Sequence, residues 1–467
     1  MSRLSGNFEN DILEIDSVLR TAESFDLSKR VIVTKSGQRC AFFYVGGLTS
    51  TQAVQDFIRY CLEAEEIRLD SENVPYKEAM PSSETEVIIT KILSGLTCML
   101  IEGKNEAILI DMRTIPLRSV EEPENDKVLR GARDGFGEAL QPNAALIRRR
   151  IRSPELTFSV VTVGTLTKSD VCICYMRNKA DLKFVENVKK QISAIEIESL
   201  NFQCQTISEA LIKKKWYNPF PRVRFTERPD AAAATLLEGS VIVMCDNSPS
   251  AMILPTSIFD FFQETDDFSF PPLTGTYLRM IRFAVYVFSI YLTPVWFFLI
   301  RHSDRLPEFL SFLKLSTEVG IPVFWQLVLV EFAIDGMRLA SLNTPSTLGS
   351  SLSIVGGLIL GDFAVAAGWF SPDVILYTAF VTIANFTQTS YELGYAIKFM
   401  RMIMLGLVYC LDGWGIIIAT LIMLTLIATN KSIDGSRSYL YPLIPFNGRA
   451  MLSLVFRIKE KSFRKDK

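Results

Sequence analysis

The sequence predicts a cytosolic α/β region of two subdomains followed by an α-helical, multi-pass membrane domain. Two observations carry this prediction. Short β-type runs alternate with helical patterns from about residue 28 to residue 268, whereas apolar residues are concentrated between about Phe283 and Thr429. With 467 residues, the chain is also too long for one ordinary hydrophobic core. Two or three domains are therefore expected.

Residues 1–27 are expected to form an N-terminal tail, and residues 28–114 the first α/β subdomain. Val31–Val33 and Cys40–Val45 flank the polar turn KSGQR, which predicts a β-hairpin. Helical patterns follow in TQAVQDFIRYCLEAEE and SSETEVIITKILSG. A second hairpin is predicted with its turn at Gly103–Glu106.

Residues 115–127 are polar and acidic without periodicity, which is typical of a linker. The second subdomain is expected over residues 128–268. Helices are predicted at LIRRRIR and VENVKKQISAI, and strands at TFSVVTVGTL and DVCICYM. Two more strands surround the Asp-Asn-Ser-Pro turn of GSVIVMCDNSPSAMILP.

The membrane domain is expected over residues 279–430. Its predicted spans are residues 283–300, 348–369, 374–389 and 402–429, and Asp412-Gly413 is expected to break or bend the last one. Residues 321–340 are also apolar, but Glu331, Asp335 and Arg338 share one helical face. Because these charges are costly in lipid, the segment is expected to be amphipathic or re-entrant, or to turn that face toward protein or water.

The charge pattern around the spans predicts that both ends of the chain are cytosolic. Residues 431–467 form a basic tail with nine Lys/Arg against three acids, and the N-terminus lacks a signal peptide. If residues 321–340 are a true span, this parity holds only when the last apolar stretch is a hairpin. The eight scattered cysteines are expected to be free and mostly buried, as in a reducing compartment.

The stretch TPSTLGSSLSIVGGLILGDFAVAAGW carries small residues four positions apart, which predicts a face where another helix packs closely. These residues are Gly349, Ser353, Gly357 and Gly361. The same stretch contains Asp362, and the next span carries Asn385 with Gln388 after it. Two interpretations stay open for these polar groups: a water-filled cation path, or hydrogen bonds between helices and a position at the interface.

The sequence gives little support to catalysis or nucleic-acid binding. A net charge of −2 provides no basic field, and His302 is the only histidine, so no triad or histidine metal pair can form. We expect no enzyme, cofactor or metal site.

Two stretches of the predicted soluble region carry clustered charges. Arg148, Arg149, Arg150 and Arg152 form a basic run that either contacts lipid or a neighbouring subunit, or pairs internally with the acids of the linker. Glu227, Arg228 and Asp230 surround Pro229 and are expected to form a structural ion-pair network.

Several long motifs, in order, resemble the A subunits of bacterial spore germinant receptors, the GerA family. They are VLRGARDGFGEALQPNAALIRRRIRSPEL, FTERPDAAAATLLEGSVIVMCDNSPSAMILP and PLIPFNGRA. TPSTLGSSLSIVGGLILGDFAVAAG, SPDVILYTAF and QTSYELGYAIKFMR are similar to one sporulation branch of that family.

This resemblance implies a subunit of the inner spore membrane that forms a ring-shaped homo-oligomer, contacts other receptor subunits or spore membrane proteins, and releases monovalent cations early in germination. Two alternatives are a non-conducting scaffold that clusters receptors and, with less support, a secondary transporter. Asp362 stands where the family pattern has Gln. The positions matching the family's soluble motifs, interpreted as assembly or coupling residues, are Arg130, Gly131, Gly135, Phe136, Asn143, Arg148, Arg149, Glu227, Arg228, Pro229 and Asp230.

Overall fold

The chain divides into two compact units in a computed structural model. The structure describes residues 3–64, 79–114, 132–200, 203–212, 216–263, 267, 270–317, 319–343, 356–388, 390–430, 433 and 438–456. The first unit comprises Met1–Lys214, Val223–Thr256 and Ser432–Ser436, and the second comprises Lys215–Arg222, Ser257–Lys431 and Arg437–Lys467. The predicted linker, residues 115–127, lies outside the described residues.

The first unit is α/β. Its helices are α1 (Phe8–Leu19), α2 (Thr51–Glu63), α3 (Thr85–Leu93), α4 (Leu140–Arg150), α5 (Leu182–Ser193), α6 (Gln203–Leu211) and α7 (Pro229–Leu237). Its strands are β1 (Leu27–Val33), β2 (Arg39–Val45), β3 (Ala79–Ser82), β4 (Thr97–Ile101), β5 (Ala107–Ile110), β6 (Leu156–Val163), β7 (Ser169–Met176), β8 (Arg224–Thr226), β9 (Val241–Cys245) and β10 (Ala251–Leu254). The two predicted α/β subdomains are therefore present.

The two subdomains repeat one topology. The strand orders are β1-β2-β4-β5-β3 and β6-β7-β9-β10-β8, and every pairing in them is antiparallel. Each sheet begins with a hairpin, sends its third strand to the far edge and places its second hairpin in between. The predicted hairpins are confirmed. In each, a polar turn connects two short apolar runs, which pair as antiparallel strands.

The predicted N-terminal tail is wrong, since part of it is the helix α1. Phe8, Ile12, Ile15 and Leu19 are all buried in the core of the first subdomain. They recur every three or four residues, a spacing that predicts an amphipathic helix from the sequence. Asn7 caps the helix by accepting a hydrogen bond from the backbone of Asn10 at 3.3 Å.

The cysteines behave as buried hydrophobic residues. All eight are free, and only Cys410 is exposed. Burial raises the pKa of Cys40 to about 11 and the pKa of Cys61 to about 12. These two side chains therefore remain neutral thiols, which are poor nucleophiles.

The second unit is helical. Its helices are α8 (Pro272–Arg301), α9 (Val323–Leu342), α10 (Gly356–Ala366), α11 (Pro372–Phe386), α12 (Tyr391–Leu411), α13 (Gly413–Ala428) and α14 (Gly448–Val455). Among the described residues, α8 and α12 are long and apolar enough to cross a membrane, and α10, α11 and α13 are shorter apolar helices. α9 has 20 residues but carries three charges.

The structure corrects the expected spans. α8 begins at Pro272 rather than at residue 283, and α11 ends at Phe386 rather than at residue 389. The described part of the stretch 348–369 is α10, which contains a π-helical turn at Ile359–Phe363. Most of the stretch 321–340 lies in one continuous helix, α9, which runs from Val323 to Leu342.

The predicted single span 402–429 is two helices, α12 and α13, that pack as a hairpin. Asp412 separates them with a φ of 56°, a left-handed conformation that ends α12. A Cβ atom at Gly415 would lie 2.4 Å from the backbone of Leu407, so the two helices meet without space for a side chain. His302 Nε2 lies 3.1 Å from Asp412 Oδ2 and fastens the turn to the end of α8.

Substituting Gly415→Ala should open this hairpin, because the added methyl group overlaps a rigid backbone. We expect a destabilisation of about 1–3 kcal/mol, measured by thermal unfolding of the detergent-solubilised full chain. Gly406→Ala, on α12, is the matched control, because its Cβ would meet nothing within 4 Å. Equal melting temperatures for the two variants would contradict the close approach.

Candidate functional site

Four charged side chains form a cluster between α9 and α12. Arg401 Nη2 lies 2.7 Å from Glu331 Oε1, and Lys398 Nζ lies 3.2 Å from Glu331 Oε2. Lys398 also contacts Asp335 Oδ2 at 2.5 Å. Arg401 is 1% exposed and Glu331 is 6% exposed. Glu331 and Arg401 are thus withdrawn from solvent and paired, as a buried charge requires, whereas the side chain of Asp335 is 33% exposed.

Polar groups extend the cluster to α8 and α11. Arg401 Nη1 donates to the carbonyl of Ser289 at 2.8 Å, and Ser289 Oγ donates to Asn385 Oδ1 at 2.9 Å. Gln388 Nε2 donates to the same Asn385 oxygen at 3.2 Å. The structure therefore brings together two of the three residues predicted for a cation path, and the contact between Ser289 and Asn385 is a hydrogen bond between helices.

Two buried atoms of the cluster have no hydrogen-bond partner among the described residues. They are Gln388 Oε1, an acceptor, and Arg401 Nε, a donor. A cavity of about 30 Å³ lies beside the cluster and is lined by Asn385, Lys398 and Arg338. It has room for a water molecule but not for a hydrated ion.

Arg338 completes the charged face of α9 in a different way. Its guanidinium lies over the rings of Phe386, Tyr391 and Tyr395, at 5.7, 5.0 and 5.2 Å from their centroids. Such contacts hold a cation in an apolar setting. Of the alternatives left open for residues 321–340, the structure thus turns Glu331 and Arg338 toward protein.

Lys398 and Arg401 were missed as site residues. The predicted spans ended at residue 389 and resumed at residue 402, so both fell between spans. The sequence did contain a signal. Lys398 and Arg401 lie three positions apart, so they share one helix face, and their positive charges complement the acidic face of Glu331 and Asp335.

Asp362 lies apart from this cluster. It sits in the π-helical turn of α10, its side chain is exposed, and it makes no hydrogen bond or ion pair with any described residue. Among the described residues, Cβ atoms at Gly357 and Gly361 would meet no atom within 4 Å. This part of α10 therefore has an open surface within one chain; Gly349 and Ser353 lie outside the described residues.

Arg148, in the first unit, joins the two α/β subdomains. It is fully buried, and its Nε lies 2.7 Å from Oδ2 of Asp26, the residue directly before β1 in the first subdomain. Its remaining nitrogens donate to the carbonyls of Ser153 and Leu156, ahead of and within β6, both at 2.9 Å. The internal pairing considered for the basic run is therefore present at Arg148, with Asp26 rather than with linker acids. Arg149 is exposed.

The other motif residues stabilise the turn before α4. Asn143 accepts from Gly137 N at 2.8 Å and donates to Gly137 O at 2.7 Å. The Phe136 amide donates to the carbonyl of Glu227 at 2.8 Å, which links the two soluble motifs.

The second motif carries the expected ion pair. Arg228 holds Asp230 through two hydrogen bonds of 3.0 and 2.6 Å. Pro229 is the first residue of α7, and Gly135 is buried. Arg130 and Gly131 lie outside the described residues.

Comparison with known proteins places the chain in a family. A family model described as "Bacillus/Clostridium GerA spore germination protein" matches residues 14–467. The chain belongs to the GerA family of spore germination proteins.

Individual relatives span most of the chain. It is 35% identical to stage V sporulation protein AF of Bacillus subtilis (strain 168), over 93% of this chain and 89% of that protein. It is 28% identical to spore germination protein A1 of the same organism, over 86% of this chain and 84% of that protein. The crystal structure of the N-terminal domain of the A subunit of the Bacillus megaterium spore germinant receptor GerK3 is similar at a TM-score of 0.41 and 23% identity, covering 54% of this chain and 96% of that chain.

Replacing Arg148 should loosen the joint between the subdomains. Arg148→Met leaves Asp26 as a buried, uncompensated carboxylate, and we expect a loss of about 3–5 kcal/mol of unfolding free energy. Denaturant unfolding of the full chain measures it. Arg149→Met, one position along the same helix at an exposed site, should change stability by about 0.5 kcal/mol or less. A similar loss in both variants would show that the Asp26 pair does not hold the joint.

Proposed function

We propose that this protein is a multi-pass subunit of the inner spore membrane that promotes germination by helping monovalent cations leave the spore, as part of a ring of identical subunits. Family membership supports the role in germination. The observation that carries the membrane part is the cluster of Glu331, Asp335, Lys398 and Arg401, in which Glu331 and Arg401 are buried among apolar helices. Paired charges on inward faces are the form in which membrane helices tolerate ionisable residues.

The helix pattern supports an even number of spans. With α9 as a full helix and α12–α13 as a hairpin, the described residues from α8 to α13 form six helices, five of them apolar and α9 apolar except for its three charges. An even number leaves both ends of the chain on one side, in line with the basic C-terminal tail. α11, with 15 residues, is about 22 Å long. Helices of that length match a bilayer only by local thinning or by packing against longer neighbours.

The cation path is proposed along α10 rather than through the buried cluster. The 30 Å³ cavity at the cluster is too small for a hydrated ion, and its charges are already paired. Asp362, by contrast, is exposed beside glycines that leave room for a neighbouring helix. In a ring of copies, these carboxylates would attract cations and repel anions.

A reconstituted flux assay tests this proposal. The protein and its partner membrane protein are placed in vesicles, and potassium efflux is recorded. Asp362→Asn should lower efflux by about tenfold, because the ring loses its charge. Asn385→Leu should also lower it, by breaking the contact with Ser289 that positions α11. Asp304→Asn, at an exposed site after α8, is the control expected to leave efflux unchanged.

An absence of efflux, or efflux unaffected by both Asp362→Asn and Asn385→Leu, would remove the path. The second candidate is then a non-conducting scaffold that clusters receptors. The observation favouring it is that the four charges of the cluster pair with one another and need no ion. The scaffold predicts that Arg149→Glu, on the exposed soluble surface, abolishes the germination response. Arg148→Glu cannot serve here, because that residue is buried.

A further inference from the structure

The segment from Trp216 to Arg222 belongs to the helical unit although it precedes α8 by about fifty residues. Asn218 Nδ2 donates to the carbonyl of Leu426, in the last turn of α13, at 3.0 Å. Tyr439 donates its hydroxyl to the carbonyl of Pro221 at 2.6 Å. Phe220 is 5% exposed and lies in the apolar core of the helical unit. The segment is thus fixed beside the end of an apolar helix.

Two aromatic residues at the start of this segment point away from that core. Trp216 is 94% exposed, the highest value among the large apolar residues that the structure describes, and Tyr217 is 54% exposed. Their rings contact each other edge to face, with centroids 6.4 Å apart. An aromatic pair left outside while Phe220 is buried marks a contact surface rather than part of the core.

The position of this pair identifies what it contacts. Leu426 belongs to the last apolar turn of α13, and Thr429, Asn430 and Lys431 follow, so the apolar sequence ends where the aromatic pair is held. Lys213, Lys214 and Lys215 immediately precede Trp216 in the sequence. Tryptophan and tyrosine at the end of a membrane helix, next to basic residues, are typical of the boundary between lipid and water.

We propose that Trp216 and Tyr217 insert into the lipid headgroup region beside the end of α13. This surface would set the depth of the helical unit in the bilayer at the point where the chain leaves the α/β unit. The inference rests on the proposed membrane insertion of α13. Its partner is the lipid surface, not another protein.

Depth-dependent quenching of tryptophan fluorescence tests the inference on the full-length protein in vesicles. Lipids carry a nitroxide either close to the headgroup or deep in the acyl chain. Subtracting the signal of Trp216→Phe from that of the unmodified protein isolates Trp216, and the substitution of so exposed a side chain leaves the fold intact. We expect the shallow quencher to act on this signal at least about twofold more than the deep one.

A second difference, with Trp414→Phe, serves as the control for membrane contact. Trp414 is 71% exposed at the start of α13, the opposite end of the same helix. If Trp414 is quenched by the labelled lipids while Trp216 is quenched only by a water-soluble quencher, the inference fails and membrane insertion stands. If neither residue is quenched by the labelled lipids, the proposed membrane insertion fails as well.

Discussion

The ion pair between Arg401 and Glu331 is the interaction on which the helical unit depends. Apolar helices in lipid, the setting that we propose for this unit, gain little from burying apolar surface against each other, so polar contacts would decide how they associate. Here one guanidinium reaches three helices: it lies 2.7 Å from Glu331 on α9 and donates to Ser289 on α8, while it belongs to α12 itself. Ser289 passes the contact on to Asn385 of α11. Removing Glu331 would leave the buried Arg401 without its charged partner, and removing Arg401 would leave Glu331 with Lys398 alone.

The α/β unit uses the same physical solution at a different joint. Arg148 is buried and donates hydrogen bonds to Asp26 and to two carbonyls near β6, so one side chain connects the two subdomains. Its planar, always charged group suits both sites, because it can form several hydrogen bonds in fixed directions. Lysine at either position would keep the charge but lose most of these contacts.

Local structure was predictable, and long-range pairing was not. The two hairpins of the first subdomain and four strands of the second followed from turn residues between short apolar runs. The break at Asp412-Gly413 was anticipated, although not the tight hairpin that Gly415 permits. The helix α1 was missed despite a clear apolar face. Asn385 and Gln388 were identified as polar groups in an apolar segment, but their neighbour Arg401 pairs with a residue 70 positions away. Arg148 and Asp26 are 122 positions apart. Periodicity and turn chemistry carry no information at that separation.

A double-mutant cycle tests most directly whether the charge cluster holds the apolar helices together. Unfolding free energies are measured in lipid-detergent mixed micelles for Glu331→Gln, Arg401→Gln and the double variant. Each single substitution should cost about 3–5 kcal/mol. The double variant should cost at least about 1 kcal/mol less than the sum, because the two residues act as a pair. Small and additive losses would contradict the claim.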